Sequence, residues 1–245
     1  MVKTSAAGVV GCIGLAVALA ACSSPHKATP AGGDSIPGTI SPGTVSAPAA
    51  STAPAPVPAG YKRIGGPVHR LSFAIPDSWI LVNPTPQGLR ESYKRVGISN
   101  ISLEFVLQDL ANLKKWNGLL AEDFKDASTS SVRYAPNISG WCTNSRTPIS
   151  GSAGVAILRS VLPQFQQVLH ARNMNASDIN VGGIPGLEVS FTLNSRAGTL
   201  YSTELQVLPK SYRDCVVALT ATQDQLQGKV IPVVASTALF FSWSR

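Results

Sequence analysis

Residues suited to acid–base or redox chemistry are scarce in this chain of 245 residues, which has 3 histidines, 4 cysteines and 13 carboxylates. His26 falls in a segment too biased in composition to pack. His69 and His170 are then the histidines left for proton transfer near neutral pH. No HExxH or P-loop spacing occurs. Ser150-Gly151-Ser152-Ala153-Gly154 misses a nucleophile elbow because position 150 is not glycine. The nearest acidic group, Glu122-Asp123-Asp126, fits a solvated helix face. No catalytic residue, cofactor or metal site is expected from this set.

Concentrated positive charge is missing as well. The 20 Lys and Arg outnumber the 13 Asp and Glu, for a net charge of +7, but the excess is spread along the chain. The pairs Lys62-Arg63, Lys94-Arg95 and Lys114-Lys115 stand apart and lack interleaved aromatics. Tracking a phosphate backbone takes a clustered basic face, so no nucleic-acid partner is expected.

What is there begins at the N-terminus. Lys3 precedes an uncharged run of Val, Ile, Leu, Ala and Gly from Gly8 to Leu19. The run suits the apolar region of a signal peptide and is short for a bilayer span. Leu19-Ala20-Ala21-Cys22 closes it and resembles the bacterial lipobox. That resemblance implies cleavage before Cys22 and a diacylglycerol on its sulfur. Residues 1–21 would be removed, and the mature chain would sit on the outer face of the plasma membrane. An ordinary secretory signal with a chance cysteine is the alternative.

The other cysteines fit an exported chain. Cys12 leaves with the signal peptide and Cys22 is taken by lipid, so Cys142 and Cys215 remain. Two thiols in an oxidising compartment are expected to pair. A bridge over that span would stabilise the fold by about 4 kcal/mol in the chain-entropy model. A redox or metal role is disfavoured, since there is no CxxC and no histidine near either cysteine.

From Cys22 to Gly60, Pro, Ala, Gly, Ser and Thr dominate and large apolar residues are nearly absent. Such a segment cannot offset its ordering entropy, and its Pro-Ala tail should act as an extended spacer. Gly33-Asp34-Ser35-Ile36 looks like the start of a GDSL-esterase motif but has no strand before it. The folded domain is placed at residues 61–245.

Within it, Arg70–Ile75 alternates as a strand does, Pro76-Asp77-Ser78 turns, and Trp79–Val82 begins a second strand. Ile101, Leu103, Phe105 and Leu107 predict a half-buried strand. Asp109 is placed as an N-cap, with Leu113, Trp116, Leu120 and Phe124 on one face of a helix weakened by Gly118. Residues 128–152, including Trp141-Cys142, read as turn-rich. Val155–Leu162 predicts a helix, and Pro163 a second one carrying Phe165, Val168 and Leu169. Leu187, Val189, Phe191 and Leu193 alternate with polar residues. Asn194–Gly198 turns, and Thr199–Leu208 returns as the partner strand. Cys215–Leu219 is apolar on both faces, which predicts a strand covered on both sides. Gln225–Leu239 has near-helical apolar spacing, and Phe240–Trp243 closes as a short strand or docked tail. The sum is an α+β domain, an antiparallel sheet flanked by helices, with a β-sandwich as the alternative.

The order just derived, with Ile75-Pro76-x-x-Trp79 near its start, Gly182-Gly183-Ile184-Pro185-Gly186-Leu187 leading into the hairpin and Ser236-Thr237-Ala238-Leu239-Phe240 at its end, resembles the LpqN-type lipoproteins of mycobacteria. Their domain is similar to the Mog1/PsbP-like α/β/α sandwich. Ser78 departs from the glycine usual before the tryptophan, and Trp141–Ser152 looks like additional material. The resemblance implies an envelope lipoprotein that binds lipid or protein partners, and it transfers no site residues. A non-catalytic module for envelope lipid or glycolipid is one reading, with an apolar groove between helices and sheet formed from Trp79, Trp116, Phe124, Trp141 and Phe165. A scaffold docking on a membrane-protein complex is the other. A hydrolase is a remote third.

Overall fold

The fold is taken from a computed structural model, which describes residues 55–95, 107–125, 134–144, 150–195, 198–209, 213–222 and 225–241. The strands are β1 (Tyr61–Gly66), β2 (Leu71–Pro76), β3 (Ile80–Leu81), β4 (Leu119–Glu122), β5 (Asn137–Asn144), β6 (Arg172–Val181), β7 (Ile184–Ser195), β8 (Gly198–Val207), β9 (Arg213–Ala221) and β10 (Leu239–Phe240). The helices are α1 (Pro86–Arg95), α2 (Leu107–Trp116), α3 (Gly151–Leu169) and α4 (Gln225–Thr237), with a 3-10 turn at Pro67–His69. The strands form a seven-stranded antiparallel sheet, β3-β4-β5-β9-β8-β7-β6, and a three-stranded sheet, β1-β2-β10.

The period of two along each strand decides what each face meets. On β9, Cys215, Val217 and Leu219 join Leu205, Val207, Ile138 and Leu119 in a core closed by the small sheet and by Val230, Ile231 and Val234 of α4. The opposite face holds two apolar patches. Leu120, Trp141 and Val216 pack under α1 and α2, while Leu187, Val189, Phe191 and Leu193 pack under α3. The domain is therefore α+β, with helices on both faces of an antiparallel sheet. The strand covered on both sides is β9.

Thr237 pins the small sheet to α4. Its Oγ1 accepts from the Ala74 N–H at 3.0 Å, and its carbonyl accepts from Arg63 Nη1 at 2.9 Å. The Pro-Ala tail also leans on α4, since the Ala55 N–H donates to the Ser236 carbonyl at 3.3 Å. Cys142 and Cys215 are paired residues of β5 and β9, bridged at an S–S distance of 2.03 Å.

Several local expectations are corrected. The helix expected to carry Leu120 and Phe124 stops at Trp116, because Asn117 turns left-handed at φ 55° and the Gly118 N–H caps the Leu113 carbonyl at 2.7 Å. Leu120 and Glu122 then lie on β4, so Glu122 is a buried strand residue and not part of a solvated helix face. Trp141-Cys142 belongs to β5 and not to a turn-rich stretch. Pro163 sits inside a single α3 instead of opening a second helix. Val168, expected on the apolar face with Phe165 and Leu169, is 59% exposed. The polar β6 was not anticipated. The strand expected over residues 101–107 lies outside the described residues except Leu107, which begins α2.

Candidate functional site

A groove of about 420 Å³ opens where α4 crosses the far half of the large sheet. Strand alternation supplies one wall. With Leu187, Val189, Phe191 and Leu193 committed to the patch beneath α3, the intervening Glu188, Ser190 and Thr192 turn to the α4 side. Tyr201 and Thr203 of β8 continue that surface, and Ile179 and Ile231 supply apolar floor.

Two features keep the groove open. Gln227 holds α4 to the sheet, its Nε2 donating to the Tyr201 carbonyl at 2.8 Å and the Leu219 carbonyl at 3.3 Å. One residue on, Gly228 offers no side chain, and a Cβ built there meets nothing within 4 Å. At the outer end β6 shifts register between Arg172 and Asn175, with Asn173 at φ 52°. The Asn173 amide donates to Thr192 Oγ1 at 3.3 Å, and that hydroxyl donates to the Arg172 carbonyl at 3.2 Å. The lining is thus rich in hydroxyls and amides, and among the described residues Glu188 is its one charged group, with no Lys, Arg or His. Such a surface suits a neutral, hydroxyl-bearing ligand with some apolar area.

The face of the sheet covered by α1, α2 and α3 carries a second polar feature, a buried seam between the two apolar patches. Glu204 and Gln206 on β8 face Ala218 and Val216 on β9, and Asp214 continues the row. Gln206 Nε2 donates to Glu204 Oε2 at 3.0 Å. Glu204 Oε1, Gln206 Oε1 and Asp214 Oδ1 have no hydrogen-bond partner among the described residues. Burial pushes the Glu204 carboxyl up to about 7, with Gln206 opposing and Asp214 adding to the rise. Burial likewise pushes Asp214 up to about 7. Glu122 on β4 rises to about 7 through burial, opposed by the nearby Tyr93 hydroxyl, and neither of its oxygens has a hydrogen-bond partner among the described residues. Tyr93 is held well above the usual phenol range, first by burial and then by the Glu122 charge. Unpaired carboxylates in a dry interior favour the neutral form.

Cys22 lies outside the described residues, and Cys142 and Cys215 form the expected bridge. The five aromatics considered for a ligand groove lie in three separate clusters. Trp79 is in the central core, Phe124 and Trp141 lie under α1 and α2 with Trp116 packed against them, and Phe165 lies under α3. None of them lines the groove beside α4. Phe165 instead meets Phe191 edge to face at 5.6 Å. His69 Nδ1 lies 2.7 Å from the Asn117 carbonyl, and His170 caps the end of α3. No group of three or more His, Cys, Asp or Glu is arranged for a metal ion among the described residues.

The alternation of β7 was visible in the sequence, but nothing in it assigned Glu188, Ser190 and Thr192 to a groove. The signal that could have marked the groove is the Gln227-Gly228 pair, a hydrogen-bonding residue beside a gap on a helix that otherwise buries its apolar side.

No family model matches the chain, and no curated protein does. Among solved structures it is similar to a protein from Bacteroides thetaiotaomicron VPI-5482, at 9% identity and TM-score 0.44, covering 75% of this chain and 49% of that one. The chain thus spans about half the length of that protein. It is also similar to cyanobacterial PsbP (CyanoP) from Synechocystis sp. PCC 6803, at 12% identity and TM-score 0.44, covering 75% and 94%. A third is LpqN of Mycobacterium tuberculosis, described as involved in cell envelope biogenesis, at 11% identity and TM-score 0.42, covering 74% and 92%. At these identities and TM-scores the likenesses transfer no residue role to this chain.

Proposed function

We propose that this chain is an exported, lipid-anchored envelope lipoprotein whose domain binds the polar part of an envelope glycolipid without catalysis. The anchor rests on the Leu19–Cys22 motif after an apolar run, and the spacer to residue 54 lets the domain stand off the membrane. The binding role rests on one observation, the open groove between α4, β7 and β8. Its hydroxyls and amides can hydrogen-bond sugar hydroxyls, and Ile179 and Ile231 can pack against C–H faces. With no cation among the described lining residues, an anionic headgroup is disfavoured as the preferred occupant.

The binding test is a thermal-shift titration with extracted envelope glycolipids. A ligand at about 100 times its Kd stabilises by about 2.7 kcal/mol, which raises Tm by roughly 5–10 °C in a domain of this size. Gly228→Trp places a bulky side chain in open space at the groove mouth and should abolish the shift while leaving the unliganded Tm within a few degrees. No shift with any glycolipid fraction, or an equal shift in Gly228→Trp, rejects the groove. For the anchor, Cys22→Ala should move the protein from the detergent phase to the aqueous phase. Continued detergent partitioning rejects the lipobox.

A further inference from the structure

The turn between β1 and β2 and the end of α2 form one surface feature that neither the fold nor the groove uses. The Asn117 side chain donates to the Val68 carbonyl at 3.0 Å, and the Asn117 carbonyl lies 2.7 Å from His69 Nδ1. These bonds fix the 3-10 turn beside the last turn of α2. Val68 is 72% exposed, the highest value among the exposed large apolar residues described. Lys114 and Lys115 are exposed next to it, and neither forms an ion pair among the described residues. The Lys115 ammonium lies 4.8 Å from the centre of the partly exposed Trp116 ring.

A lone exposed valine or a lone lysine pair needs no explanation. Their combination does, because an apolar tip, an indole and exposed ammonium groups are what the boundary between lipid headgroups and acyl chains accommodates. The polar faces of the same layer extend the charge, with Arg90 and Lys94 exposed on α1. The apolar tip and the exposed part of the Trp116 ring, whose remainder packs against the cluster of Phe124 and Trp141, would enter the headgroup region while the ammonium groups meet lipid phosphates.

We infer that Val68, Lys114, Lys115 and Trp116 form a docking surface for an anionic phospholipid bilayer. The surface is separate from the groove. It adds to the proposed anchor an orientation in which the α2 end faces the membrane. The 32 residues between Cys22 and Ala55 reach roughly 100 Å when extended, so the spacer allows that contact.

The test uses the chain without its first 21 residues and with Cys22→Ser, which keeps every described residue and removes the lipid. Its cosedimentation with vesicles of 30% phosphatidylglycerol in phosphatidylcholine is compared with pure phosphatidylcholine in 50 mM salt. Binding to the anionic vesicles alone, lost at 500 mM salt, is expected. Lys114→Gln with Lys115→Gln should weaken partitioning about thirtyfold, from about fivefold for each lysine at an anionic surface. Val68→Asp should weaken it about tenfold or more, and Lys229→Gln, exposed on α4, should leave it unchanged. Circular dichroism melts confirm that each variant is folded. Failure of the parent to bind, equal binding to neutral vesicles, or undiminished binding by the double lysine variant overturns the assignment. None of these outcomes depends on Cys22 or on the groove.

Discussion

Raising the pH from 5 to 8 should destabilise this domain, and Glu204→Gln should relieve part of the loss. Glu204 has no solvent exposure, and its Oε1 has no hydrogen-bond partner among the described residues. Burial lifts its pKa from an ordinary 4.5 to about 7. Below about pH 4.5 the group is protonated whether the chain is folded or unfolded, and the stability associated with the neutral form is fully present. As pH rises, the unfolded chain releases this proton first, and stability is lost until the folded state also ionises near pH 7. Each pKa unit is worth 1.36 kcal/mol, so the difference of about 2.5 units amounts to about 3 kcal/mol for this residue. Asp214, lifted from 3.8 to about 7, acts in the same direction. Urea unfolding at pH 4, 5, 6, 7 and 8 should show a continuous fall for the parent. Glutamine is close in shape to protonated glutamate and cannot ionise. The variant should match the parent within about 1 kcal/mol at pH 4 and exceed it by about 3 kcal/mol at pH 8, equivalent to roughly 6–12 °C in Tm. A parent whose stability is flat or rises from pH 5 to 8 would refute the reasoning. So would a variant offset by the same amount at every pH.

Two further outcomes follow from the fold. Intact mass of the native protein should rise by two protons on reduction, and removing the Cys142–Cys215 crosslink should cost about 4 kcal/mol in the chain-entropy model, measured by urea unfolding with and without reductant. Free-thiol labelling of the native protein would contradict the bridge. Gly182→Val should destabilise by about 3 kcal/mol or more, because φ is +57° and the new Cβ collides with the Ala238 carbonyl oxygen. A melt within 2 °C of the parent would show that the β6–β7 turn adapts.

The regular C-terminal half was legible because each local signal agreed with the packing. The β7–β8 hairpin declares itself through strict alternation and the Asn194–Gly198 turn, and β9 through the unbroken apolar run Cys215–Leu219. The middle of the chain was not, for identifiable reasons. Leu113, Trp116, Leu120 and Phe124 keep helical spacing across a helix end that only the left-handed Asn117 reveals. Asn137–Asn144 mixes glycine, serine and cysteine, and becomes a strand through its pairing with β4 and β9. Pro163 reads as a start but is tolerated inside α3, where it removes only the donor to the Arg159 carbonyl. At the groove, the residue types were visible but their enclosure was not, since Ser190 and Thr192 look solvent-facing until α4 is placed over them.

The small sheet has a consequence for how the molecule is made. Its central strand, β2, has one partner immediately before it in the chain and the other, β10, among the last described residues, with Ser72 opposite Leu239. A nascent polypeptide therefore carries β2 with one edge open until Leu239 and Phe240 have been made. A closure this long-range slows folding, and a chain truncated before Leu239 would leave that edge free to recruit a neighbouring molecule.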